Sequence, residues 1–178
     1  MNRGPVSTTV FRNSPRIGIP DPAPDAVVDL RSAMRLFPTG VALLCTGSGE
    51  SAVGMTINAL MSVSLTPPRI LVSVQSTARA HPVLCASRTF AVHLLSDRQA
   101  ATAGLFASRD KPFGTDLEAL VDREVLPVAL ATLRCSVEQV FQGGDHSLFL
   151  SRVESIGHGE KNGEPLVFHR GTLGTKHQ

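Results

Sequence analysis

Four short segments of this chain carry side chains suited to chemistry, and each has a plainer reading beside it. In Gly54-Met55-Thr56-Ile57-Asn58-Ala59-Leu60, small and polar residues interrupt an apolar stretch. Backbone amides in such a loop suit the polar edge of a planar heterocycle, and Thr56 and Asn58 add side-chain hydrogen bonds. The plain reading is a connecting loop with Asn58 in a turn. In Val74-Gln75-Ser76-Thr77-Ala78-Arg79, a strand end runs into a helix start. That geometry aims free N–H groups outward, toward a phosphate that the hydroxyls and Arg79 would also favour. An ordinary N-cap explains Ser76 or Thr77 equally well. Phe106-Ala107-Ser108-Arg109-Asp110-Lys111-Pro112-Phe113 offers Lys111 to an anion and two Phe rings to flank an aromatic, or else is a solvated charge cluster with two core rings. Asp145 beside His146, at a Gly143-Gly144 turn, is a candidate acid–base pair or simply a polar turn with an exposed His.

Other chemistries find little support. There is no Gly-x-Ser-x-Gly, no Gly-x-Gly-x-x-Gly between strand and helix, and no Walker-type Gly-Lys-Ser/Thr. A dinucleotide, if bound, is not held in the Rossmann manner. The six His residues lack metal-ligand spacing. Cys45, Cys85 and Cys135 are an odd number, far apart, and set among apolar neighbours, so reduced thiols are expected and not a disulfide framework.

These segments need a scaffold. The 178 residues, 42% hydrophobic and 18% charged, suit one globular domain. A net charge of +2 with scattered Lys and Arg, and no Trp or Tyr, gives no footprint for nucleic acid. No apolar run approaches the length of a membrane span, about 20 residues. Residues 1–24 are polar and dotted with Pro; they read as a flexible arm, not a secretory signal, and a cytoplasmic location is expected.

From Asp25 to the end the chain reads as one domain. Val27, Leu30, Met34 and Phe37 make an amphipathic helical stripe with Asp25 as its N-cap, stopped by Pro38 and Gly40. Strands are then expected at 41–46, 52–55, 61–65, 69–75 and 89–95. Helices are expected at 78–87 and from an Asp97 cap to Phe106. Residues 107–127 look like a long irregular connection with a helical turn at 116–121. The clearest β signal is last: 131–138 alternates, Gln142-Gly143-Gly144-Asp145 turns, 147–156 returns, and Asn162-Gly163 precedes a final strand at 165–169. About seven strands and three helices, joined by short turns, favour a mainly β (α+β) antiparallel barrel with a few peripheral helices.

In order and spacing, several stretches together resemble the short-chain flavin reductase family, the reductase components of two-component flavin-dependent monooxygenases. They are Phe37-Pro38-Thr39-Gly40-Val41, Gly54 to Ala59, Ser62-Val63-Ser64-Leu65-Thr66-Pro67-Pro68, Phe90-Ala91-Val92-His93-Leu94-Leu95, Phe106-Ala107 with Lys111-Pro112-Phe113, and Gly144-Asp145-His146-Ser147-Leu148-Phe149. The resemblance runs from about Leu30 to Gly171. It implies an FMN-binding split β-barrel, a homodimer, and hydride transfer from NADH or NADPH to FMN or FAD, with reduced flavin released to a monooxygenase or halogenase. It also implies cofactor contacts from Thr39, Thr56, Ile57, Asn58, Ala59 and Ser62. Ser73, Gln75, Ser76, Ala78 and Arg79 would hold the phosphate end. Phe106, Lys111 and Phe113 would come from a lid or the dimer-related side, and His146 would lie near the nicotinamide as the catalytic candidate. The chain departs from the family pattern at Leu60 and Thr66, and the segment after Val74 is atypical. A non-catalytic flavin-binding module of the same fold is the alternative, and the residues leave FMN against FAD open.

Overall fold

The computed structural model describes residues 29–175. Helix α1 (Leu30–Met34) leads into β1 (Thr39–Gly40), β2 (Ala42–Thr46), β3 (Val53–Ile57), β4 (Leu60–Leu65) and β5 (Pro68–Gln75). Helix α2 (Ala80–Ser87), β6 (Thr89–Leu94), α3 (Ala100–Ala107) and α4 (Gly114–Leu120) follow, with a π-turn at Val121–Val125. The long strands β7 (Ala131–Gly143) and β8 (His146–His158) and the short β9 (Val167–His169) and β10 (Thr172–Gly174) complete the chain.

Seven strands form one antiparallel sheet in the order β3-β2-β6-β7-β8-β5-β4. Its two edge strands, β3 and β4, are consecutive in the chain and separated only by Asn58 and Ala59. The sheet must therefore curl until its edges meet, yet those edges are not paired with each other. The result is a barrel with a slit between β3 and β4; the Ser73 N–H, donating to the Ala59 carbonyl at 3.1 Å, extends the β4–β5 pairing to the slit's edge. A second sheet, β1-β9-β10, lies apart.

Strand periodicity divides the core in two. Ala42 and Leu44 of β2 face the barrel interior with Val72, Val74, Val92 and Phe149. Val41 and Leu43 face the other way and pack with Leu95, Phe106, Leu117 and Leu166 under α3 and α4. Burial on both faces explains why 41–46 is a continuous apolar run and not an alternating one. Helix α2 drives Leu84, fully buried, into the barrel interior.

Several boundaries differ from expectation. The Asp25 cap lies outside the described residues. Asp29 caps α1 instead, accepting from the Ser32 N–H at 3.0 Å. Among the described residues nothing buries the α1 stripe: Leu30, Met34 and Phe37 are 64%, 52% and 63% exposed. Asp97 is not the cap before α3. Ser96 is, in a reciprocal box with Gln99 that opens a short 3-10 turn. The stretch 107–127 is mostly helical, because Leu117, Leu120, Val121 and Val125 recur at helical spacing and pack on the second core. Ten strands form where about seven were expected; β9 falls within the strand expected at 165–169, and the unexpected ones are the short β1 and β10.

Candidate functional site

Strand β3 is an edge, so the backbone polar groups on its outer side face the slit. At its start, Val53 bridges to Phe113 and the Ala52 carbonyl accepts from the Gly114 N–H at 2.7 Å, so the α3–α4 connection is fastened there. The Arg79 guanidinium lies over the Phe113 ring at 5.5 Å. Lys111 Nζ donates to the Phe106 carbonyl at 3.0 Å. Burial, and then the nearby Arg79 charge, hold the Lys111 pKa below its ordinary value. Two cations from separate elements therefore share one end of β3 without an acidic partner in an ion pair.

At the other end of β3, Ile57 and Asn58 line a cavity of about 320 Å³ with Phe37, Thr39, Leu130 and Leu166. Thr39 Oγ1 is buried and has no hydrogen-bond partner. Buried hydroxyls normally find one, so this atom awaits a group from outside the described chain. Between the two ends β3 spans about 13 Å, four steps of about 3.3 Å each.

The expected phosphate loop is brought to the same end as His146. Gln75 pairs with His146 in the β5–β8 register, and the Ser76 N–H donates to the Asp145 carbonyl at 2.9 Å. His146 Nδ1 sits 2.7 Å from Asp145 Oδ1, and that contact holds the Asp145 carboxyl below the usual range. Arg79 follows Ser76 by three residues, so the hairpin tip and the cation pair border one region.

The geometry corrects several side-chain roles. Thr56 Oγ1 donates to the Ala103 carbonyl at 2.6 Å, so it ties β3 to α3 on the face away from the slit. Its O–H proton is spent there, so toward a ligand the hydroxyl can only accept. The Phe106 ring is fully buried in the second core, against Gly54, and cannot flank a cofactor ring. The amides of Ser76 and Ala78 are engaged, the latter with the Gln75 carbonyl at 2.9 Å, so they are not free phosphate donors. That leaves the Ser76 and Thr77 hydroxyls and Arg79 in the segment. Ser62 lies exposed on β4 opposite Ile70. The Ser73 amide is spent on Ala59, while Asn58 and Ala59 stand exposed at the slit. Leu130 and Leu166, which help enclose the Thr39 cavity, were missed because apolar residues from distant loops carry no local signal. Cys45 is half-buried and Cys135 buried, and burial pushes both thiols up to about 12, so neither is a nucleophile.

An elongated slit with an orphaned hydroxyl at one end, free backbone groups along one wall and a cation pair at the other fits a planar, phosphate-bearing cofactor such as a flavin. Comparison with known proteins agrees. The NADH-dependent FMN reductase AsuE2 of Streptomyces nodosus subsp. asukaensis is 38% identical over 154 residues, 83% of each chain. An NADH-dependent FAD reductase of Streptomyces globisporus is 38% identical over 134 residues, covering 71% of this chain and 73% of that one. The crystal structure of BorF, the flavin reductase component of a bacterial two-component tryptophan halogenase, superposes with a TM-score of 0.72 at 32% identity, covering 82% of this chain and 95% of its own. Residues 34–177 match the family described as "Flavin reductase like domain", and the chain belongs to that family.

Proposed function

We propose that the protein is an NAD(P)H-dependent flavin reductase that reduces FMN or FAD and releases it to a flavin-dependent monooxygenase or halogenase. The observation that carries this reading is the slit of β3, with the unpartnered Thr39 hydroxyl at one end and Arg79 and Lys111 at the other. Bound there, a flavin supplies a two-electron acceptor for the hydride of a nicotinamide. Thr39 and the β3 backbone hydrogen-bond the ring's polar edge. Asn58 and Ala59 border it, and Arg79, Lys111 and the Ser76 and Thr77 hydroxyls hold the phosphate. Gln75 and His146, beside the phosphate end, border the nucleotide donor, whose nicotinamide must reach the flavin ring. Hydride transfer needs no proton at the reacting carbon, so His146 acts by position and not as an acid or base. The protein's contribution is the alignment of two rings.

The same reading includes a homodimer and a cytoplasmic location. Met61, Leu71, Leu148, Leu150 and Phe141 share the outer face of β4, β5, β8 and β7, where no described helix covers them. Three unpaired cysteines suit a reducing compartment. No described helix is long and apolar enough to cross a membrane.

The test is NADH and NADPH oxidation by the purified protein with FMN and FAD added separately. Rapid flavin-dependent oxidation is expected, and the better flavin and donor identify the working pair. Flavin binding without accelerated oxidation would make the protein a binding module and not an enzyme.

A further inference from the structure

A second cavity, of about 580 Å³, lies on the outer face of β2, β6 and β7 beneath α4 and the π-turn. It shares no lining residue with the Thr39 cavity or with the cation pair. His93 and Thr132, paired across β6 and β7, belong to its floor. His93 is only 3% exposed. Its Nδ1 lies 2.9 Å from Thr132 Oγ1, while its Nε2 is buried with no hydrogen-bond partner. Burial, and then the Arg134 charge, lower its pKa to about 4, so the ring is neutral and has one unsatisfied nitrogen to offer.

The rest of the lining narrows the chemistry. Leu117, Val121 and Leu126 give apolar walls. The Cys45 and Cys135 thiols stay protonated, and no trio of potential metal ligands occurs among the described residues. The charged lining residues are Glu118, Asp122 and Glu154 against Arg134 alone, so the mouth is net acidic where the slit is cationic. Anions are disfavoured, flavin phosphates and nicotinamide nucleotides included. The volume lies within the range typical of small-molecule sites, roughly 300–1,000 Å³.

We infer that this cavity binds a small uncharged aromatic molecule with one hydroxyl or ring N–H, held between the apolar walls by a single hydrogen bond to His93 Nε2. The inference does not rest on the reductase reading.

Indole and phenol, with benzoate as the anionic counterpart, are titrated against the full-length protein by calorimetry and then soaked into crystals. Saturable binding of indole or phenol is expected, with density in the cavity and a polar atom within hydrogen-bond distance of Nε2. Benzoate should bind at least about tenfold more weakly. His93→Phe should weaken binding by about tenfold or more, the loss of one hydrogen bond to a buried group. Because a core replacement can fail to fold, Leu126→Trp at the exposed lip is the second variant. It should fill the cavity and block binding while melting temperature and far-UV spectrum stay unchanged. Three results would each overturn the inference: an ordered water alone on Nε2, binding at crystal concentration only, or undiminished binding by both variants.

Discussion

Protonating His93 within the fold would place a charge beside Arg134 in a nearly sealed site. Its folded pKa of about 4 lies below the ordinary His value of 6.5. Between those values the unfolded chain binds more protons than the folded one, so stability must fall as the pH drops through this window. The contribution is complete above the unfolded value. Lowering the pH from about 7 to about 5 should cost about 2 kcal/mol through this group. Denaturant midpoints of the wild type and His93→Phe at the two pH values check this. The variant should lose less stability on acidification, and equal losses would place the depressed pKa elsewhere. A second prediction concerns the cation pair. Arg79→Ala and Lys111→Ala should each raise the flavin KM by about tenfold, in line with a lost charge-assisted hydrogen bond of about 1.5 kcal/mol. Steady-state kinetics with varied flavin decide it; an unchanged KM in both variants would remove the phosphate from this end of β3. The sequence singles out Arg79, Lys111, Phe113 and His146 because charged and aromatic residues at element ends stand out, and their roles belong to the proposed function. The spent hydroxyl of Thr56 was not legible, since its partner Ala103 lies 47 residues away and offers only a backbone carbonyl.

At the scale of elements, β3 keeps its place through Gly54. A Cβ added there would lie 3.0 Å from the Phe106 ring and 3.2 Å from Leu117. Gly54→Ala should therefore destabilise by about 1–3 kcal/mol through overpacking. Gly104, within α3, has open space where a Cβ would go. Gly104→Ala should stabilise by about 0.5–1 kcal/mol, the helix-propensity gain. Opposite shifts in melting temperature are expected from the two variants, and two shifts of the same sign would contradict the packing described. The strands of the large sheet could be read in advance because period-two alternation and turn signals such as Gly143-Gly144 are local. Helix α4 was legible only as a turn at 116–121, because Gly114, Asp116, Glu118, Asp122 and Pro127 look like loop composition, although Leu117, Val121 and Val125 already carried the helical period. Strand β10, only three residues long, is too short for a period to show, whereas β9 lies within the strand expected at 165–169 after the Asn162-Gly163 turn.

Among the described residues, one half of the barrel is covered and one half bare. Helices α3 and α4 bury the outer face of β2 and β3 in the second core. On the other half, strand alternation sends Ile70, Val72, Val74, Phe149 and Val153 into the barrel. The intervening positions turn outward. In register, Met61 lies opposite Leu71, Leu71 opposite Leu150, and Leu148 opposite Phe141. Next along this face, Glu138 bridges Arg69 at 2.6 Å and Arg152 at 3.0 Å, giving the apolar surface a polar margin. That arrangement, an apolar centre with a charged rim, is the anatomy of a protein interface. In a two-fold dimer every substitution occurs twice in the same interface. Leu150→Glu, near the middle of the face, would bury two unpaired like charges, at a cost of about 3 kcal/mol or more. The dimer dissociation constant should rise by a factor on the order of 100. Because residue 150 faces outward on a strand paired on both sides, the isolated fold should tolerate it. Sedimentation velocity across a concentration series separates the outcomes. A wild-type dimer and a folded Leu150→Glu monomer would establish this face as the interface. A wild type that stays monomeric at every concentration would remove the homodimer from the proposed function, and an unperturbed dimer in the variant would move the contact elsewhere, with the exposed Leu30, Met34 and Phe37 of the α1 region as the next surface to substitute.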